Sequence, residues 1–179
     1  PALQAKISRY GFDGAIVPAK QDYLLVAHTN IAGQKSDRRM EERIEHSAQV
    51  LSDGSVIDTV TIYRGHTGVK NEILSGVRNV DWLRVYVPKG SQLLAASGFS
   101  APEASYFDEP EASWEVFPLL AETENRALTD LDSGTKIYTE SDKTVFANWV
   151  MVDPGETAII RLRYRLPFKI KKSEPTSDD

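Results

Sequence analysis

Apolar and polar residues alternate with a period of two over long stretches of this chain. From Met40 onward the even positions Met40, Ile44, His46, Ala48 and Val50 are mostly apolar, while Glu41, Arg43, Glu45, Ser47 and Gln49 are polar. Successive side chains of a strand point to opposite faces, so the pattern predicts a strand with one buried face. Ser52-Asp53-Gly54-Ser55 follows, and its Asp-Gly pair suits the positive φ angles of a tight turn. Residues 56–64, rich in Val, Ile, Thr and Tyr, complete a long antiparallel hairpin. The alternation is cleanest over 157–168, where Ala158, Ile160, Leu162, Tyr164, Leu166 and Phe168 face one way and Arg161, Arg163 and Arg165 the other.

The remaining elements are shorter. Residues 2–10 suit a helix, with Leu3 and Ile7 on one face and Gly11 placed to end it. Residues 22–27 form a half-apolar strand that runs into the polar cluster Asn30-Ile-Ala-Gly33-Gln-Lys35-Ser36-Asp37. Residues 65–80 read as a loop with one helical turn near 71–74, and 82–87 as a strand ended by Pro88-Lys89-Gly90. A short strand over 91–96 and an irregular connection over 98–112 come next. Residues 114–122 read as an edge strand, because Pro118 cannot donate to a ladder. Strands over 136–140 and 144–152 flank the turn Ser141-Asp142-Lys143, and Asp153-Pro154-Gly155-Glu156 is a further turn. Many short strands with turn signals and little helix predict an all-β fold, an antiparallel β-sandwich with a short N-terminal helix. The division expected is residues 1–12 as the end of a preceding helical segment, 13–168 as the sandwich, and 169–179 as a disordered polar tail.

Composition narrows the setting. At 179 residues, 41% hydrophobic and 26% charged, the chain fits one globular domain. A net charge of −5 argues against a dedicated nucleic-acid binder, which needs surplus Lys and Arg to displace counterions. With no cysteine, disulfides, thiolate metal sites and cysteine nucleophiles are excluded together. No apolar run approaches the roughly 20 residues of a membrane helix. The chain shows no signal peptide and opens on Pro1, which reads as a segment whose targeting information lies upstream.

Each constellation with chemical potential also has a plain structural explanation. Gly33-Gln-Lys35-Ser36 shares letters with a phosphate-binding loop, but that loop needs Gly directly before the Lys and another five positions upstream. Gln34 and His28 stand there, so the nucleotide reading fails. Asn30, Lys35, Ser36 and Asp37 remain either a strand-ending turn or a set of directed hydrogen-bonding groups for hydroxyls or a carboxylate. His28, His46 and His66 follow no metal-ligand spacing, and no metal is expected of them. Asp130-Leu-Asp132-Ser-Gly134 holds only fragments of a calcium loop and suits Asx-type turn chemistry. Arg161 and Arg163, with Arg165, form a basic stripe that could grip carboxylate or phosphate, or simply solvate an outer face. Of the three tryptophans, Trp149 shares the parity of Val145 and Met151 and is expected in the core. Trp114, beside an acidic loop, is the best exposed candidate for stacking on sugar rings. No catalytic elbow or Ser-Lys motif is present.

Several segments taken in order resemble one bacterial family. They are Gly11-Phe-Asp-Gly14, the strand leading into the Asn30 to Asp37 cluster, the hairpin with its Asp53-Gly54 turn, and Trp82-Leu-Arg-Val-Tyr-Val-Pro88 with Gly90-Ser91. Glu140, Lys143, Phe146, Pro154-Gly155 and Tyr164-Arg-Leu-Pro167 continue the series. Together they resemble the β-rich region towards the C-terminal end of proteins of the domain of unknown function 4012 family. The resemblance spans the chain to about residue 170. It implies an exported body behind an N-terminal membrane anchor, near surface-polysaccharide functions, and supplies no catalytic residue. His28-Thr29 departs from the family pattern. The chain also stops where members continue with β structure, which would leave the sandwich without its last strands and with an exposed edge.

The function expected is therefore an extracytoplasmic β-sandwich module of a bacterial cell-surface protein, binding or scaffolding rather than catalysing, without cofactor. Its partners would be envelope polysaccharide or another surface protein, with no nucleic acid, and membrane contact only through an absent N-terminal anchor. The candidate ligand-binding residues are Asn30, Lys35, Ser36, Asp37, Trp114, Arg161 and Arg163. An accessory or catalytic domain in surface-polysaccharide attachment or processing, and a purely structural spacer, are the alternatives.

Overall fold

In the computed structural model, which describes residues 2–16, 18 and 21–171, two antiparallel sheets pack face to face. The elements are α1 (Ala2–Arg9), β1 (Leu25–Ala27), β2 (Met40–Val50), β3 (Ser55–His66), β4 (Asn79–Pro88) and β5 (Gln92–Ser97). After them come α2 (Pro118–Asn125), β6 (Leu128–Thr129), β7 (Lys136–Glu140), β8 (Lys143–Val152) and β9 (Thr157–Lys169). One sheet has the order β1-β4-β8-β7-β6 and the other β2-β3-β9-β5. The all-β sandwich expected from the alternation is the architecture observed, and among the described residues no helix is long and apolar enough to cross a membrane.

The core lies between the sheets, where alternate residues of both inner faces meet. Val60 and Ile62 of β3, Val85 and Val87 of β4, and Ile160 and Leu162 of β9 are each 0% exposed. Phe146 of β8 packs on Tyr164 of β9 with ring centroids 5.6 Å apart. The Asp53-Gly54 turn closes the β2–β3 hairpin, with Gly54 at φ +81° and the Asp53 carboxylate accepting from Ser55 N–H at 3.0 Å. A Cβ at Gly54 would stand 2.5 Å from the Ile170 carbonyl oxygen, so only glycine permits this approach. Ser141 and Asp142 both take positive φ, 50° and 57°, as the two-residue β7–β8 connection requires.

Three expectations are corrected. Residues 114–122 form no strand: Pro118 opens α2, where its fixed φ fits and its missing N–H leaves no intrahelical bond unmade. The even face of β2 is not buried, since the three residues of β1 at one sheet's edge cannot cover the eleven of β2 at the other's; Ile44 stays 39% and Val50 48% exposed. Trp149 keeps the parity of Val145, but that face is the outer one of the five-stranded sheet, where it is half-buried against Trp82 and Phe107 at 4.6 and 5.5 Å. The four-stranded sheet ends at β2 and β5, with β9 inside it, paired with β3 on one side and β5 on the other. The strand runs to Lys169, and most of the tail expected to be disordered, 172–179, lies outside the described residues.

Candidate functional site

Beyond β1 the chain stays against β4, with Trp82 N–H donating to Thr29 O and Ile31 N–H to Val80 O, both at 2.9 Å. This pairing brings the Asn30 to Asp37 cluster over the start of β4. Asn30 Nδ2 donates to Ser36 Oγ at 3.0 Å and approaches Asp37 Oδ2 at 3.4 Å. From the sheet, Asn79 Nδ2 donates to Asp37 Oδ1 at 2.8 Å and to Ser36 Oγ at 3.1 Å. Ser36 is 0% exposed, so its hydroxyl is not offered to a ligand. Lys35 is exposed, and its N–H is held by Leu74 O at 2.8 Å. The cluster is thus a cross-braced turn whose hydrogen-bonding capacity is directed inward.

Its brace continues into a buried ionic network. Arg64, inner-facing on β3 and 3% exposed, donates through Nη2 to Asn79 Oδ1 at 3.2 Å and lies 3.5 Å from Asp81 Oδ2. Asp81 is 0% exposed and also accepts from Thr29 N–H at 2.7 Å. His28 stands between carboxylates on both sides, Nδ1 at 2.8 Å from Asp81 Oδ2 and Nε2 at 2.9 Å from Glu42 Oε2. Carboxylates at both ring nitrogens favour the imidazolium, while Arg64 Nη1, in contact with both nitrogens, opposes it. Burial alone would pull the His28 pKa down, but the hydrogen bonds from Asp81 and Glu42 outweigh it and leave the value above the ordinary 6.5. Burial likewise pushes Glu42 up, and His28 and Arg64 reverse this, holding it below its usual range.

The sign of the linkage follows from these directions. A raised His28 contributes stability that is complete below about pH 6.5 and is lost as pH rises through the folded value. A lowered Glu42 contributes above its unfolded value of 4.5 and is lost as pH falls through its folded one. The network is therefore strongest between those two limits. In urea unfolding at pH 5.5, 7 and 8.5, the stability difference between wild type and His28→Gln should shrink as pH rises; a constant difference would remove the imidazolium assignment.

The other sequence-predicted residues do not join this cluster. Arg161 and Arg163 lie on the outer face of the four-stranded sheet, opposite Thr61 and Thr59 in the β3 register, and Arg161 Nε donates to Thr61 Oγ1 at 3.4 Å. Trp114 is 53% exposed in a loop turn, its N–H bonded to Glu111 O. The histidines also separate: His66 is buried, with Nε2 at 2.9 Å from Val77 O and Nδ1 accepting from Gly68 N–H, while His46 stands beside Asp22 and Asp58. Asp130 caps an Asx-type turn, accepting from Ser133 N–H at 3.0 Å.

The larger recess lies elsewhere, along the β7 side of the five-stranded sheet next to α2. It is an open groove of about 1140 Å³. Trp82 and Arg84 of β4, Tyr138 and Glu140 of β7, and Thr29 line the sheet side, and Phe117 and Leu120 the α2 side. Its polar groups are held in a chain: Arg84 donates to Thr29 Oγ1 at 3.3 Å and to Tyr86 OH at 3.2 Å, and Tyr86 OH donates to Glu140 Oε2 at 3.1 Å. Burial, and after it the Glu140 charge, push the Tyr138 phenol up to about 12, so it is a neutral hydrogen-bonding group at physiological pH. Trp82, Arg84 and Tyr86 share one strand face, a pattern visible in the sequence. Their partnership with Tyr138 and Glu140 depends on β8 pairing with both β4 and β7, and the β4–β8 pairing joins segments far apart in the chain. Against known proteins, the chain matches no family model, no curated protein and no solved structure.

Proposed function

We propose that this chain is a non-enzymatic, glycan-binding β-sandwich module of a bacterial cell-surface protein, related to the β-rich region of the domain of unknown function 4012 family and acting on envelope polysaccharide. The observation that carries the reading is the groove, which combines an aromatic wall with pre-positioned polar groups. Trp82 and Tyr138 offer ring faces to the C–H face of a sugar, while Arg84, Glu140 and Thr29 offer hydroxyl partners whose orientations are already set by neighbours. Preorganisation of this kind reduces the ordering cost of binding.

The two carboxylates of the groove favour binding over hydrolysis. Glu122 pairs with Arg126 at 2.8 Å and Glu140 accepts from Tyr86, so each is already engaged by a neighbour of the groove. A glycosidase pair needs one carboxyl kept protonated. The test is a glycan array with a cell-wall pull-down, comparing wild type with Trp82→Ala, Glu140→Gln and Lys35→Ala. Trp82→Ala and Glu140→Gln should each weaken retention by about tenfold, equivalent to ~1.4 kcal/mol, with Lys35→Ala unchanged. Wild type that retains no glycan, or a folded Trp82→Ala that binds as wild type does, would sink the assignment.

A further inference from the structure

On the inner face of the four-stranded sheet, away from the groove, a separate set of titratable side chains converges. Asp58 lies in the middle of β3, 0% exposed, directly opposite Ala48 of β2 and Tyr164 of β9. Neither oxygen of its carboxylate has a hydrogen-bond partner, and the buried Tyr164 hydroxyl has none either. His46, two residues from Ala48 on β2, turns Nε2 towards Asp58 Oδ2 at 3.3 Å and towards Asp22 Oδ2 at 3.8 Å. One donor atom of each of the three residues falls within 4.8 Å of the others.

Internal hydrogen bonding does not account for this arrangement. A single Nε2–H donates to one acceptor, yet two carboxylates face it, and both separations exceed the ~2.7–2.9 Å of a charge-assisted bond. A buried carboxylate met by one imidazole at 3.3 Å is short of compensation.

We propose that Asp22, His46 and Asp58 bind a first-row divalent metal ion of the zinc class. Two carboxylates balance a dication, and the imidazole nitrogen favours zinc and its neighbours over calcium or magnesium, which take oxygen. Metal–ligand bonds of about 2.0–2.2 Å place tetrahedral donors roughly 3.3–3.6 Å apart, within about an ångström of movement per side chain from the separations observed. Asp22 and His46 are exposed while Asp58 anchors the set from beneath, so a fourth position faces solvent. Tyr164, adjacent to Asp58 in the register, is placed to orient its carboxylate from the outer shell. The ion ties the segment ahead of β1 to β2 and β3, the side where the two sheets cover each other least.

The test uses the full chain without an affinity tag, stripped by a chelator and titrated with Zn²⁺ in a calorimeter, with thermal unfolding measured with and without Zn²⁺. One zinc per chain is expected, with a rise in melting temperature that chelator reverses. His46→Gln and Asp22→Asn should each weaken binding by at least about 100-fold, more than the loss of an outer-shell partner. His28→Gln should bind as wild type does. Asp22 is at the surface, so its variant reports on binding even where changes at Asp58 disturb folding. A wild type that takes up no zinc at roughly millimolar concentration, or His46→Gln and Asp22→Asn proteins that bind unchanged, would overturn the proposal.

Discussion

Replacing Arg64 with Met should destabilise the fold by about 3–5 kcal/mol, the range expected when one partner of a buried ion pair is removed. Met fills much of the volume of the arginine stem, so the loss measures charge rather than packing. Asp81 then keeps its burial and its bond to Thr29 N–H, but of its two cationic neighbours only His28 remains. Asn79 also loses the donor to its Oδ1, which loosens its grip on Ser36 and Asp37. The effect is read as a shift in the urea midpoint with unchanged slope. Adding Asp81→Asn should recover part of the loss, because it withdraws the charge that Arg64 no longer compensates. A single-variant loss under about 1 kcal/mol would mean that His28 suffices for Asp81.

Phe146→Ala should cost a similar amount by a different route. Phe146 is 1% exposed, on the central strand β8 between the two sheets, and packs on Tyr164. Removing it forfeits the transfer free energy of the ring and leaves a cavity that two sheets pinned by long ladders close only in part, for about 3–5 kcal/mol. For a domain of this size that corresponds to a fall of roughly 8–16 °C in melting temperature. Ile44→Ala on β2 is the contrast: at 39% exposed it should change stability by less than about 1 kcal/mol. Equal losses at the two positions would contradict the placement of the core.

These two residues also show how far the sequence could be read. Phe146 shares the parity of Val150 and Val152, and the alternation along β9 and the Asp53-Gly54 turn are likewise local facts, so strands and hairpins were legible. Parity alone could not say which face met the other sheet. Trp149 and the even residues of β2 have apolar patterns, yet one faces outward and the others lie largely uncovered. Pro118 is ambiguous in the sequence because proline is compatible with both a strand edge and the first turn of a helix. Within the cluster, Asn30, Ser36 and Asp37 do come together, but Ser36 and Asp37 turn inward to Asn79, 43 and 42 residues further along the chain. The groove was hidden for the same reason, and the Asp22–His46–Asp58 set because Asp22 reaches the β2–β3 hairpin from the segment ahead of β1.

The position of β9 has a consequence for how the protein is made. Thr61 and Arg161 touch across 100 residues of chain, and Ile170 N–H closes on Gly54 O at 2.9 Å. The four-stranded sheet therefore has no centre until its final strand has been synthesised, and until then β3 and β5 are separate pieces with unpaired edges. Non-local pairing of this kind slows folding relative to a chain of local contacts. Before β9 is made, the β2–β3 hairpin and the β4–β8 pair have their ladder partners, but the core between the sheets still lacks Ile160, Leu162 and Tyr164.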